Sequence, residues 1–175
     1  MTFTPPIAEQ RFVLETVAGI AELSGHPAFA EATPDMVDAI LEGAAAFAAG
    51  EWAPLNRVGD TSPPRWADGR VTMPPGFRDA YRAYVDGGWG SINGPAGFGG
   101  QGLPFVLATV VQEDLGTANM AFNLCPMLSM GAVEALVAHG TPEQQAHYLP
   151  KLVTGEWTGT MNLTEPQAGS DVGAL

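Results

Sequence analysis

The chain has 175 residues, a length that fits one compact domain and is enough to bury a core. Seven Lys and Arg stand against nineteen Asp and Glu, a formal charge of −12, which leaves no basic surface for a phosphate backbone and excludes nucleic acid as a partner. No apolar run approaches the roughly 18 residues of a membrane span, the N-terminus MTFTPPIAEQRF has neither the basic nor the apolar part of a secretory leader, and a single cysteine cannot close an internal disulfide; these features predict a cytoplasmic protein with no membrane span.

The first periodic segment runs from about Ile7 to Leu23, where Ile7, Phe12, Leu14, Val17, Ile20 and Leu23 fall at steps a helix can gather on one side. A second helix starts at Thr33 as N-cap with Pro34 in the first helical position. It continues through Met36, Val37, Ile40, Leu41 and the alanines up to Ala49, with Gly50 as its stop. Joined through Ser24 to Pro27, the two read as a helical hairpin. From Pro54 to Gly76 the density of proline and glycine predicts a long ordered loop or linker. Within it, Asp68-Gly69 between Trp66 and Val71 has the chemistry of a tight hairpin turn. A third helix is predicted from about Pro75 to Asp86, carrying Phe77, Tyr81 and Tyr84 or Val85 at helical steps.

The glycine-rich stretch Gly87 to Gly102 can only be loop. Leu103 to Leu115 reads as helix, and Ala118 to His139 as a longer apolar helix buried on most sides. Gly140-Thr141-Pro142 followed by Gln144 spells a stop and a capped restart, with a short helix to Leu149 that Pro150 ends or kinks. Glu156 to Leu163 lacks helical spacing and reads as the one well-marked strand.

Several features invite a functional reading. The glycine run Gly97 to Gly102 follows a helix rather than a strand and lacks both phosphate-loop endings, which favours a structural loop. His26, His139 and His147 have no ligand spacing with one another or with the single cysteine, so they read as surface or capping residues rather than metal ligands. Cys125, beside Pro126 in an apolar helix, has no histidine base in sight and reads as a small core residue. The last feature is Glu156 to Val172, a strand that empties into Thr164-Glu165-Pro166-Gln167-Ala168-Gly169-Ser170-Asp171. Its hydroxyls and the open backbone at Gly169 suit a polar or anionic ligand, and they suit an ordinary turn equally well.

Tyr148 to Glu156 followed by Leu163 to Asp171 resembles the flavin-binding segment of acyl-CoA dehydrogenases. Upstream, Ala53 to Asp60, Pro74 to Phe77 and Gly99 to Pro104 resemble the subgroup with an extended N-terminus, which includes the 3-methylmercaptopropionyl-CoA dehydrogenases. The likeness spans essentially the whole chain. It implies a mainly α fold: the N-terminal helical domain of that family plus the first strand of its middle β-barrel domain. The implied division is a helical extension over 1–53, a linker over 54–76, the helical domain over 77–155 and the start of the β-domain over 156–175.

The resemblance also implies FAD as cofactor. Met161, Leu163 and Thr164 would contact the flavin ring, with the Thr164 hydroxyl at its pyrimidine edge. Gly169 and Ser170 would sit at the pyrophosphate, and Ser170 also near the acyl-CoA. Glu165 and Pro166 would shape the turn. The implied reaction removes an α-proton and a β-hydride from an acyl-CoA thioester to give the trans-2-enoyl-CoA, and electrons pass on to an electron-transfer flavoprotein. The family's glutamate base lies in a C-terminal bundle, so no residue of these 175 is assigned as catalytic; Glu113 and Glu134 read as helix-face residues. The implied picture is therefore an N-terminal piece of a homo-oligomeric enzyme that is inactive by itself. Only 15% charged residues against 46% hydrophobic ones agree with a surface meant to be covered. Two other readings stand beside it: a helical binding or scaffold module retained from the family, and a different flavin or nucleotide enzyme complete at this length.

Overall fold

The computed structural model describes residues 3–175. The element order is α1 (Ile7–Thr16), α2 (Ile20–Ser24), α3 (Pro34–Phe47), α4 (Ala53–Thr61), β1 (Arg65–Ala67), β2 (Arg70–Thr72), α5 (Phe77–Asp86), α6 (Phe105–Ala118), α7 (Met120–His139) and α8 (Pro142–Val153). Short 3₁₀ turns at Pro27–Phe29, Ala96–Phe98 and Val172–Ala174 complete it. The mainly helical class read from the sequence is the one observed.

The predicted helix Ile7 to Leu23 is two helices. Gly19 takes a left-handed conformation at φ 64°, which breaks the hydrogen-bond ladder, so Leu14 and Ile20 turn inward while Phe12, Val13 and Val17 stay exposed. α1 still packs on α3, as the hairpin reading requires. α3 begins as its sequence says, with the Thr33 hydroxyl accepting from the Met36 N–H at 3.3 Å.

α3 does not stop at Gly50. The chain passes through one wide π turn, Ala48–Trp52, and continues directly into α4, so residues 54–61 of the predicted loop are helical. Pro54 explains the wide turn: it has no N–H to offer and would clash within a regular helix. Here the Ala53 N–H reaches back five residues to the Ala48 carbonyl, and Pro54 falls where the restarted helix needs no donor. The turn aims Trp52 into the centre of the molecule, where it is fully buried. Its ring stacks on Phe122 at 4.4 Å and 8°, Phe122 stacks on Phe77 at 4.6 Å and 18°, and Tyr84 leans on Trp52 at 5.6 Å. Ala44, Ala48, Leu41, Leu107, Val111 and Leu115 fill the rest of the same core. Asn119 locks it: its side-chain oxygen caps α7 through the Phe122 N–H at 3.1 Å, and its amide nitrogen donates to the Trp52 carbonyl at 3.4 Å.

β1 and β2 form the predicted hairpin, with Trp66 opposite Val71 and both turn residues, Asp68 and Gly69, at positive φ, the geometry a two-residue turn demands. Among the described residues this is the only ladder. Glu156 to Leu163, predicted as a strand, is neither helix nor ladder, because a strand needs a partner for its N–H and C=O groups.

α7 corrects two expectations. It is 20 residues long with a mean hydropathy of 1.5, enough by length and composition to cross a membrane, contrary to the expectation that no apolar run reaches that length. It is not buried on most sides either: Met120, Leu124, Met127 and Val137 are exposed. Its inner side packs against α6 and α8 and carries buried Asn123, which donates to the Gln112 carbonyl, a pattern of a helix covering a folded core. The predicted capping box at Thr141 and Gln144 is present, with bonds of 2.9 and 3.3 Å. Gln145 adds a feature the sequence did not announce, donating to the carbonyls of Leu136, Val137 and Gly140 and so closing the end of α7. Pro150 does not end α8, which runs to Val153.

Replacing Trp52 with Ala should cost about 3–5 kcal/mol of stability, read from the midpoint of urea unfolding, because the stack loses its fully buried end ring and leaves a cavity. Asp114 on α6 is only 1% exposed and is held by Gln10 of α1 through a 2.7 Å bond, with its second oxygen unpartnered. Burial pushes its carboxyl above the usual carboxylate range, against the lowering effect of the Gln10 bond. The folded state thus holds this proton more tightly than the unfolded one, so the group's contribution falls as pH rises from about 4 through the raised value. Asp114→Asn should remove that fall, seen as a flatter curve of melting temperature against pH.

Candidate functional site

The residues following α8 form a ribbon whose first part is fastened to the helices. The Gly155 carbonyl accepts from the Tyr81 hydroxyl at 2.9 Å. Lys151 pairs with Glu156 at 2.7 Å and lies 4.7 Å over the Trp157 ring, and the Trp157 N–H donates to the Lys151 carbonyl. Next, the Gly159 N–H donates to Ser129 Oγ at 3.0 Å. Gly159 must be glycine here: a Cβ would stand 2.7 Å from the Ala132 Cβ on α7, inside normal contact.

Beyond this pin the ribbon is free of the helices at most positions, and all five residues carried over from the resemblance lie in this part. Met161 is 61% and Leu163 44% exposed, and Thr164, Gly169 and Ser170 are exposed as well. Among the described residues neither the Thr164 nor the Ser170 hydroxyl has a side-chain hydrogen bond, and a Cβ on Gly169 would meet nothing within 4 Å. Glu165 and Ala168 exchange both backbone bonds at 3.0 Å, so Glu165 and Pro166 lie in a tight turn, as expected of them. Ala168 alone is buried. The arrangement presents two apolar side chains, two uncommitted hydroxyls and an uncovered backbone at one edge. That donor set fits a flat, partly apolar ligand with a phosphate tail.

A second concavity, about 170 Å³, lies between α5, the glycine loop, α7 and α8, bounded by Tyr81, Tyr84, Ser91, Asn93, Pro126, Glu134 and Val153. None of the five ribbon residues lines it. It is below the usual size of a cofactor site, and its one carboxylate, Glu134, is engaged by the Asn93 amide at 3.2 Å. Its glycine loop is bound to itself: the N–H groups of Gln101, Gly102 and Leu103 donate to the carbonyls of Ser91, Gly94 and Ile92, and a Cβ on Gly100 would collide with the Gly94 backbone. The loop is structural, as its sequence suggested. His26 caps the turn at Pro27–Phe29 by accepting from the Ala28 N–H, and His147 sits edge-on to Tyr148 and Trp157.

Residues 34–156 match the model of the acyl-CoA dehydrogenase N-terminal domain. The chain belongs to the acyl-CoA dehydrogenase family. It is 42% identical over 172 residues to the 3-methylmercaptopropionyl-CoA dehydrogenase of Ruegeria pomeroyi, a match covering 98% of this chain and 29% of that protein. It is 30% identical over 170 residues to a broad-specificity linear acyl-CoA dehydrogenase of Mycobacterium tuberculosis, covering 96% of this chain and 28% of the other. The fold is that of an acyl-CoA dehydrogenase from Bacillus anthracis complexed with FAD, with a TM-score of 0.64 at 22% identity over 84% of this chain and 24% of that one. The chain thus spans less than a third of the length of these relatives. The family-model match ends at residue 156, just before the ribbon residues.

Cys125 is half-buried, and burial pushes its thiol up while the Thr158 bond pulls it down by less. Alkylation by iodoacetamide should therefore be slow at pH 8, where a free thiol of ordinary pKa near 8.5 reacts readily. Thr158→Val should slow it further, measured as the pH dependence of the labelling rate.

Proposed function

We propose that this chain is the N-terminal part of a flavin-dependent acyl-CoA dehydrogenase that converts an acyl-CoA thioester to the trans-2-enoyl-CoA in the cytoplasm. The observation that carries this reading is the 42% identity over nearly the entire chain to a 3-methylmercaptopropionyl-CoA dehydrogenase. FAD, when bound, supplies the acceptor for the hydride that leaves the substrate β-carbon. Met161 and Leu163 give an apolar edge for the flavin ring, and the Thr164 hydroxyl bonds its pyrimidine side, where negative charge grows on reduction. Gly169 lets the pyrophosphate approach the backbone, and Ser170 donates to a phosphate oxygen and stands near the thioester substrate.

No glutamate of this chain is assigned as base: Glu113 is exposed on α6 and Glu134 is held by Asn93. A carboxylate from outside the chain takes the α-proton, and the chain alone is inactive. A boundary to the β-domain after residue 155, the electron-transfer flavoprotein as acceptor and a homo-oligomeric enzyme belong to the same proposal, whereas the continuous helix through residue 53 rules out a division there. Among substrates, 3-methylmercaptopropionyl-CoA ranks first and linear fatty acyl-CoA second, in the order of the two relatives' identities.

The test is FAD binding and dye-coupled turnover by the intact protein carrying this sequence. Ser170→Ala should weaken FAD binding by about tenfold, the worth of one hydrogen bond to a charged group. Turnover of 3-methylmercaptopropionyl-CoA should exceed that of butyryl-CoA. An intact protein that retains no flavin and oxidises neither thioester would overturn the proposal.

A further inference from the structure

The side of α1 that meets the body is narrow. Of its ten residues only Gln10 and Leu14, one turn apart, are buried. Leu14 packs into the main core with Ile7 partly buried against it. Gln10 reaches one side chain, its amide nitrogen donating to Asp114 Oδ1 of α6 at 2.7 Å, and the two residues are 5% and 1% exposed. Arg11 adds a pair with Asp38 of α3, but both side chains reach solvent, where such pairs contribute little. At its far end α1 gives way to Gly19, whose left-handed φ of 64° interrupts the helix. The segment is thus held at Gln10 and hinged at Gly19.

Two buried oxygens of this contact have no partner among the described residues, Asp114 Oδ2 and Gln10 Oε1. With Asp114 ionised both are acceptors, so neither can satisfy the other, and each costs free energy. One proton resolves both. A carboxylic acid and a primary amide are complementary: the acid O–H donates to the amide oxygen while the amide N–H donates to the acid carbonyl. The 2.7 Å bond is already one half of that ring. The surroundings favour the neutral acid, since burial and the neighbouring Glu113 both act against the charge and only the Gln10 bond supports it. The other charged groups on the elements around Asp114 are engaged or turned to solvent. Arg11 is taken by Asp38, and Glu9 and Glu15 of α1, Asp35 and Glu42 of α3, Glu51 of the π turn, and Glu134 and His139 of α7 are exposed.

We propose that Gln10 and Asp114 form a proton-dependent latch: a proton on Asp114 Oδ2 closes an acid–amide ring that holds α1 against α6, and its loss to solvent opens the ring and lets α1 swing about Gly19. The folded state binds this proton more tightly than the unfolded one. Docking is therefore strongest in acid and weakens as pH rises from about 4 through the raised value of the carboxyl. Opening hydrates the carboxylate, which favours its ionised form and couples the motion to the titration. Neither residue belongs to the ribbon at Met161 to Ser170, and the latch is independent of the flavin reading.

The test is amide hydrogen exchange of the intact protein carrying this sequence, from about pH 4 to about pH 8. Protection of residues 11–16 is compared with that of α3 after correction for intrinsic exchange, and circular dichroism checks the fold of every variant. In the wild type the protection of α1 should fall by about tenfold or more across this range while α3 holds. Asp114→Asn supplies an amide N–H where the acid carries its proton, so α1 should stay protected at every pH. Gln10→Glu/Asp114→Asn exchanges acid and amide within the same ring and should restore the pH dependence. Gln10→Leu can make neither bond and should lower α1 protection in acid by about tenfold. Wild-type α1 indifferent to pH, Asp114→Asn with the wild-type pH dependence, a double variant without it, or α1 and α3 opening together would each overturn the proposal.

Discussion

The stack of Trp52 on Phe122 on Phe77 is the contact on which the arrangement of helices depends. Its members come from the π turn, from the first turn of α7 and from the first residue of α5, so one column of rings fixes three separate stretches of chain. Offset aromatic pairs at such spacings add specific geometry to a large burial of apolar area. The stack forms only because the π turn rotates Trp52 inward, and Asn119 holds that turn against the start of α7 with a bond to the Trp52 carbonyl. Backbone irregularity, aromatic stacking and side-chain capping are here one device.

Local signals in the sequence translated directly into structure wherever the physics was local. Thr33-Pro34, Thr141-Pro142 with Gln144, and Asp68-Gly69 each specify a conformation through residues adjacent to one another, and each is found as written. The failures share a different cause. Gly50 and Pro54 read as a terminator and a loop because glycine and proline weaken a helix in isolation, whereas burial of Trp52 makes the helix worth continuing through a widened turn. The segment Ile7 to Leu23 has helical spacing throughout, yet Gly19 adopts a conformation that spacing does not encode. The apolar composition of α7 was read as burial. Its outer face is instead exposed, and nothing in a hydrophobic count distinguishes a face covered by this chain from one that is not.

The ribbon was legible in a different way. Glu156 to Leu163 reads as extended because it lacks helical spacing, but a ladder depends on a neighbour, and the segment is held instead by point contacts at Gly155 and Gly159. The Gly159 contact could have been suspected from a lone glycine in a strand-like run, a recognised sign of close backbone approach. The cap supplied by Gln145 had no such signal, since it acts across a turn through the side chain of an ordinary polar residue, whereas Asn119 is of a type that favours the helix N-cap. The membership of the family came from motif likeness and not from periodicity.

α7 is gripped at both extremities, by the Asn119 amide before its first turn and by the Gln145 amide after its last. Twenty residues at 1.5 Å each make a strut of about 30 Å with no frayed end to absorb strain. Ser129, which receives the ribbon, sits near its midpoint. A load applied to the ribbon is therefore delivered to a beam supported at its two ends, one of them resting on the aromatic column. The ribbon and the core of the helical layer are thus joined through one helix.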